Sequence, residues 1–224
     1  MIDYKKQIIK QLDRFQYSRS RREVFLDAVE YNALSVATKF DIYKRKERLA
    51  RMDEILKSYT GGDAEAFSSI RTDLFLLLQG MLDDYGDHLG EIYMEIEAGN
   101  KHAGQYFTPY HVSKLMAEIT LGNVKDREKI LTLNEPCCGS GGMVVAAADV
   151  LAEQDFNYTD KLLVVANDID RNCVNMAYLQ ISFAAVPAIV HCQDTFTQKI
   201  SDTFVTPAFA LQYPKFKREL DAQM

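Results

Sequence analysis

The residues best placed to do chemistry are three carboxylates at the ends of short apolar runs, together with one glycine-rich turn. Asn134-Glu135-Pro136-Cys137-Cys138-Gly139-Ser140-Gly141-Gly142-Met143 follows the apolar run Ile130-Leu131-Thr132-Leu133 and precedes the small-residue run Val144 to Val150. This order predicts a strand, a tight turn and a helix. Such a turn lets backbone approach a ligand closely at a helix N-terminus. Glu135 at the strand end would repel a pyrophosphate, but it can hold an ammonium group or hydroxyls. The expected occupant is a nucleoside with a charged amino-acid tail, which describes S-adenosylmethionine.

Two more apolar runs end in acids. Val164-Val165-Ala166-Asn167-Asp168-Ile169-Asp170 is one, and the strand before His191-Cys192-Gln193-Asp194-Thr195-Phe196 is the other. In a doubly wound sheet such strand ends meet at one crevice. An acid after the second strand suits ribose hydroxyls. An acid after the third can accept from an adenine amino group. Upstream, Gly104-Gln105-Tyr106-Phe107-Thr108-Pro109 offers two aromatic residues and a Thr-Pro pair, an N-cap followed by proline at the first helical position.

The elements that must hold these residues fall into two parts. Residues 1–59 read as helices, with Val24, Leu26, Val29, Leu34, Val36, Phe40 and Ile42 among charges and no proline. Thr60-Gly61-Gly62 breaks the run, and Asp63 is placed to cap a helix over 64–97. Phe67, Ile70, Leu74, Leu78, Met81 and Leu82 form its stripe, and Gly80, Gly86 and Gly90 are positions where it can bend or split. Ala98-Gly99-Asn100-Lys101 marks a boundary, giving a helical N-terminal domain at 1–99 and a second domain at 100–224. In the second, a helix opens at Thr108-Pro109. Strands are expected at 130–134, 162–167 and 188–192, helices near 142–153 and 171–184, and a short helix from Tyr213. This βαβαβ order predicts an α/β fold with a parallel sheet.

Charge and cysteines narrow the function classes. The net charge is −6, divided unevenly. Residues 1–59 hold 14 Lys and Arg against 9 Asp and Glu, and the remainder holds 12 against 23. A complete DNA-reading surface is normally more basic than this. No run of about 18 apolar residues suggests a membrane span, and the N-terminus lacks the apolar core of a signal peptide. Cys137, Cys138, Cys173 and Cys192 have no zinc-like spacing and read as reduced thiols in a cytoplasmic protein, so no metal is expected. Asp83, Asp87, Glu91 and Glu95 recur every four residues. On one helix they would line a face at about 6 Å per step, a solvated face or one that mimics DNA or docks on a basic partner.

The order of these motifs resembles the N6-adenine DNA methyltransferases that serve as modification subunits of type I restriction–modification systems. Gly104–Pro109 matches that family's first cofactor motif and Glu135–Gly142 its second, and the resemblance covers roughly residues 60–210. It implies a Rossmann-like S-adenosylmethionine-dependent methyltransferase domain with a truncated parallel sheet, preceded by an all-helical domain. It implies cofactor contacts from Tyr106, Phe107, Thr108, Glu135, Pro136, Cys137, Gly139, Ser140 and Gly141, with Asp168 on the ribose and Asp194 on the adenine.

After the fourth strand that family carries Asn-Pro-Pro and an aromatic residue, which grip a flipped adenine. The matching segment here is Phe204-Val205-Thr206-Pro207-Ala208-Phe209, where Thr206 replaces the asparagine and Ala208 the second proline. By the resemblance Phe209 would stack on the base, while Thr206 and the Pro207 carbonyl would position its amino group for in-line methyl transfer. The other reading is a non-catalytic cofactor-binding or DNA-mimicking protein that modulates a methyltransferase or restriction complex. Against that family's pattern, three more strands and the target-recognition and DNA-clamping portions are expected to be missing from this sequence. DNA would then be met together with partner subunits, and self-association or another protein would cover the open sheet edge.

Overall fold

The computed structural model describes residues 2–15, 18–98, 106–125 and 127–221. Gly104 and Gln105 of the first motif, and residues 99–101 of the expected boundary, lie outside them. The chain opens with α1 (Tyr4–Leu12), a 3-10 turn (Asp13–Phe15), α2 (Arg21–Ala37), α3 (Arg45–Lys57), α4 (Gly62–Gln79) and α5 (His88–Glu97). It continues with α6 (Tyr110–Leu121), β1 (Leu131–Glu135), α7 (Gly142–Glu153), α8 (Tyr158–Lys161) and β2 (Leu162–Asp168). Last come α9 (Arg171–Phe183), β3 (Ala188–Asp194), β4 (Lys199–Val205) and α10 (Pro207–Asp221).

Helix α2 starts where Ser20 accepts from the Glu23 amide at 3.1 Å, and Glu23 adds an acid to the first turn. It buries Val24, Phe25, Ala28, Val29, Ala33 and Leu34, because it lies between α4 on one side and α9 on another. The apolar stretch expected as one helix over 64–97 is split. Gly80 ends α4, residues 80–87 turn, and Asp87 caps α5 by accepting from the Gly90 amide at 3.1 Å. The acidic stripe therefore does not exist as a face. Asp83 sits on the turn, Asp87 is buried, and only Glu91 and Glu95 are exposed on α5.

The sheet has strand order β1-β2-β3-β4. β1, β2 and β3 are parallel, joined through α7 and α9, and right-handed crossovers put both helices on one face. β4 departs from the expected all-parallel sheet: it returns antiparallel to β3. Only four residues, 195–198, separate the two strands, whereas a parallel crossover needs a dozen or more. The fold is α/β with a mixed sheet, α7 and α9 layered on it, and α2, α4 and α5 layered on α9. A single apolar cluster runs through these layers, from Ile8 and Phe25 through Ile70 and Leu89 to Met176, Val190 and Phe204.

A charged clasp joins α3 to β4. Asp202 receives Lys44 Nζ at 2.5 Å and Arg171 Nη1 at 2.8 Å. Arg48, which is 3% exposed, donates to the Thr203 carbonyl at 2.8 Å and lies over the Phe204 ring at 4.4 Å. Among the described residues no helix is long and apolar enough to cross a membrane.

Candidate functional site

The turn between β1 and α7 is shaped by two glycines with left-handed backbone. Gly139 has φ +53° and Gly141 has φ +94°. A Cβ on Gly139 would come 3.0 Å from the Phe107 ring, and one on Gly141 would come 2.9 Å from the Ala177 Cα. Neither position accepts a side chain without movement. The turn is latched from both neighbouring strands. At the end of β2, Asp168 Oδ2 accepts from the Gly139 amide at 2.9 Å, and the Asn167 carbonyl accepts from the Cys138 amide at 2.8 Å. Beyond β3, the Thr195 hydroxyl donates to the Pro136 carbonyl at 2.7 Å.

A small crevice of about 200 Å³ opens beside this turn. Of the residues expected to hold a cofactor, Tyr106, Phe107, Thr108, Cys137, Gly139, Ser140 and Asp168 line it. Glu135, Pro136, Gly141 and Asp194 are not part of that lining. Glu135 accepts from the Cys137 amide at 3.2 Å, and Gly141 serves as the N-cap of α7. Asp194 ends β3 and closes its own turn, accepting from the Phe196 and Thr197 amides at 2.9 and 3.2 Å. The Thr197 and Phe196 hydrogen bonds hold its carboxyl below the ordinary range. Tyr106 is 79% exposed at the mouth, whereas Phe107 packs inward against Tyr93 with ring centroids 5.4 Å apart. Burial pushes the Cys138 thiol well up, which makes it an inert part of the wall.

The expected catalytic trio is elsewhere. β4 runs antiparallel, so its end pairs with the start of β3, Ile189 opposite Val205. Thr206 therefore lies at the far end of the sheet, about 20 Å from the crevice edge at the strand rise of about 3.3 Å per residue. Its hydroxyl is fully buried, donates to the Val186 carbonyl at 2.8 Å and accepts from the Ala188 amide at 2.9 Å. Pro207 starts α10, and Phe209 packs on Tyr213 and Phe216. The structure does not bring Thr206, Pro207 and Phe209, the residues expected to grip a base, to the crevice. The segment is a helix cap with a local aromatic cluster, and α10 begins at Pro207 rather than near Tyr213.

Five lining residues were not among the expected cofactor contacts: Asp87, Ser113, Cys138, Gly142 and Met143. Asp87 is 3% exposed and accepts from the Ser140 hydroxyl at 2.6 Å and from Gln180 Nε2 at 2.7 Å. Gln180, fully buried in α9, also donates to the Ser140 carbonyl at 2.7 Å and accepts from the Leu89 amide at 3.0 Å. One network thus fixes α5, the glycine turn and α9 together. The readable signal was Gly86-Asp87 ahead of an apolar helix, an N-cap pattern hidden by treating 64–97 as continuous. The crevice is aromatic and acidic. Asp87 and Asp168 line it, and among the described residues no lysine or arginine does. The Ser113 hydroxyl is fully buried in its wall without a hydrogen-bond partner among the described residues.

A family model described as N-6 DNA Methylase matches residues 84–221, more than half of the chain. The chain belongs to the N-6 DNA methylase family. The matched span begins just before Asp87 and takes in α5, the crevice and the whole sheet. Among solved structures, the chain is similar to the methyltransferase subunit of a type I restriction–modification system from Streptococcus thermophilus. That match has 17% identity and a TM-score of 0.47, and it covers 86% of this chain and 57% of that one. A putative class I S-adenosylmethionine-dependent methyltransferase from Listeria monocytogenes matches with 13% identity and a TM-score of 0.44, over 84% of this chain and 52% of that one. This N-6 DNA methylase family member thus spans little more than half the length of either structure.

Proposed function

We propose that this chain binds S-adenosylmethionine in the crevice and supplies the cofactor half of an adenine N6-methyltransferase site. The observation that carries the reading is the glycine turn latched to Asp168 beneath Phe107, in a pocket whose charged lining among the described residues is acidic. A sulfonium ligand with an ammonium tail suits acidic walls, and a nucleotide phosphate does not. The residues present fit such a ligand. Asp168 Oδ1 and Oδ2 each spend one bond on the Asp170 and Gly139 amides, which leaves acceptor capacity for ribose hydroxyls. Asp194 closes a turn at the end of β3 outside the crevice lining, so no cofactor contact is assigned to it. Phe107 walls the cleft, and Tyr106 covers its mouth. When bound, the cofactor supplies an electrophilic methyl group.

Titration calorimetry with S-adenosylmethionine tests this. Binding by the wild type and a loss of about 10-fold or more in Asp168→Ala is the expected result. Absence of binding to the wild type would end the proposal.

The same reading holds that the chain alone does not methylate DNA. Thr206-Pro207-Ala208-Phe209 caps a helix at the wrong end of the sheet, and none of the five prolines follows another. The base-gripping half and the DNA contacts then come from outside these 224 residues, in keeping with their net charge of −6. A methyl-transfer assay on unmethylated DNA is expected to show no incorporation by the purified chain. Robust adenine methylation would overturn the non-catalytic reading and leave the cofactor site intact.

A further inference from the structure

Asp87 carries more charge than its structural duty needs. As the N-cap of α5 it must accept from the Gly90 amide, and a serine or asparagine does that as well. It is instead a carboxylate, 3% exposed, whose hydrogen-bond donors are the Gly90 amide, the Gln180 amide and the Ser140 hydroxyl. All three are neutral. A buried carboxylate without a counter-charge is costly, and such groups are normally paired. The charged neighbours do not help. Glu91 on α5 and Asp168 across the crevice are both acidic, and the His88 ring is occupied by the Asp84 carbonyl at 2.7 Å. Burial accordingly pushes the Asp87 carboxyl up.

The carboxylate faces the ligand space. It lines the crevice, and Gly142 passes so close that a Cβ there would come 3.0 Å from Asp87 Oδ2. Oδ2 accepts one bond and has room for another. A second and independent sign is Ser113 on the first turn of α6. Its hydroxyl is fully buried in the wall of the same crevice and has no partner among the described residues. Glu135, the acid that the sequence offered for an ammonium group, does not line the crevice. We propose that Asp87 receives the ammonium group of the ligand's amino-acid tail and is the residue that makes the site require that tail. This rests on the cofactor reading above.

The test is titration calorimetry with S-adenosylhomocysteine, its desamino analogue and 5′-methylthioadenosine, on the wild type and Asp87→Asn. Asparagine keeps the Oδ1 acceptor for Gly90 and Gln180, removes the charge and reverses the Ser140 contact, its Nδ2 donating to the hydroxyl that Oδ2 now accepts from. The wild type should bind S-adenosylhomocysteine about 10–100-fold more tightly than the desamino analogue, the range for one charge-assisted hydrogen bond. Asp87→Asn should weaken S-adenosylhomocysteine by a similar factor and leave 5′-methylthioadenosine within about twofold. An equal loss for all three ligands in Asp87→Asn would make Asp87 a mere shaper of the turn and overturn the assignment. So would equal affinity of the wild type for S-adenosylhomocysteine and its desamino analogue, a comparison that needs no variant. If the wild type binds none of the three, the cofactor reading itself fails and takes this assignment with it. Binding of 5′-methylthioadenosine alone sinks only the role of Asp87.

Discussion

Thr206 and Ala188 hold each other by two hydrogen bonds: the Ala188 amide donates to the Thr206 hydroxyl at 2.9 Å, and the Thr206 amide donates to the Ala188 carbonyl at 3.0 Å. The hydroxyl also receives the Phe209 amide at 3.3 Å, so one side chain closes the start of β3 and caps α10. Replacing Thr206 with valine leaves the Ala188 amide buried without an acceptor. The expected cost is about 1–3 kcal/mol, read by urea unfolding. Cofactor affinity in the same variant should match the wild type. Thr206→Asn should yield no methylation, because the position lies at the end of the sheet away from the crevice.

Gly139 is expected to be a sharper determinant of binding than of folding. Alanine there must adopt φ near +53° and meets the Phe107 ring at 3.0 Å. The left-handed conformation costs about 1–2 kcal/mol, and the ring must shift by a few tenths of an ångström. Gly139→Ala should remain folded, with cofactor affinity reduced about 10-fold or more by calorimetry. Gly141→Ala meets backbone of α9 rather than a movable ring, and it should lose more stability than Gly139→Ala.

The Asp202 clasp predicts an acid-labile contribution. Burial alone would raise the Asp202 carboxyl, but hydrogen bonds from Lys44 and Arg171 outweigh it and hold the carboxyl below its ordinary value. A depressed carboxylate stabilises the fold above its unfolded pKa of about 3.9, and that contribution fades as pH falls through the lower folded value. Asp202→Asn should cost about 2–3 kcal/mol at neutral pH. The figure is discounted because Lys44 and Arg171 are 37% and 44% exposed, while Arg48 keeps Asp41 at 3.1 Å. Urea unfolding at pH 7, 5 and 3 should show a constant gap between wild type and variant at the first two values and a smaller gap at the third.

Asp87 has the opposite sign. Its folded carboxyl is raised, so its contribution to stability is complete below the unfolded value and is lost as pH rises through the folded one. Asp87→Asn carries no such loss. The melting temperature of the variant relative to the wild type should therefore climb between pH 4 and pH 8 without ligand. A difference that stays flat over that range would show that Asp87 is ionised at no cost.

Strands β1, β2 and β3 and helices α7 and α9 could be read from the sequence because each is a local pattern. Pairs such as Val164-Val165 and Ile189-Val190 mark strands, glycines 139–142 mark the turn, and Asp170 caps α9 by accepting from Asn172. The meeting of Gly139 and Asp168 followed from parallel topology, which places strand ends together, whereas Phe107 was expected there only from the family resemblance. The direction of β4 was also within reach, because four residues between Asp194 and Lys199 cannot make a crossover. Reading 204–209 through the family motif assumed a parallel fourth strand and overrode that count. Asp87 and Arg48 were harder. Both are charged residues made useful by burial, and burial depends on contacts with Gln180, Ser140 and Thr203 that no local pattern carries.

The two margins of the sheet differ in a way that bears on any larger assembly. On β4, Arg48 occupies the Thr203 carbonyl and the clasp screens the strand. On β1, pairing is made with β2 alone among the described residues. Growth by strand addition is thus directional. A newcomer that joins beyond β1 runs alongside Asn134 and Glu135, immediate neighbours of the glycine turn, so extending the sheet and touching the crevice are one event.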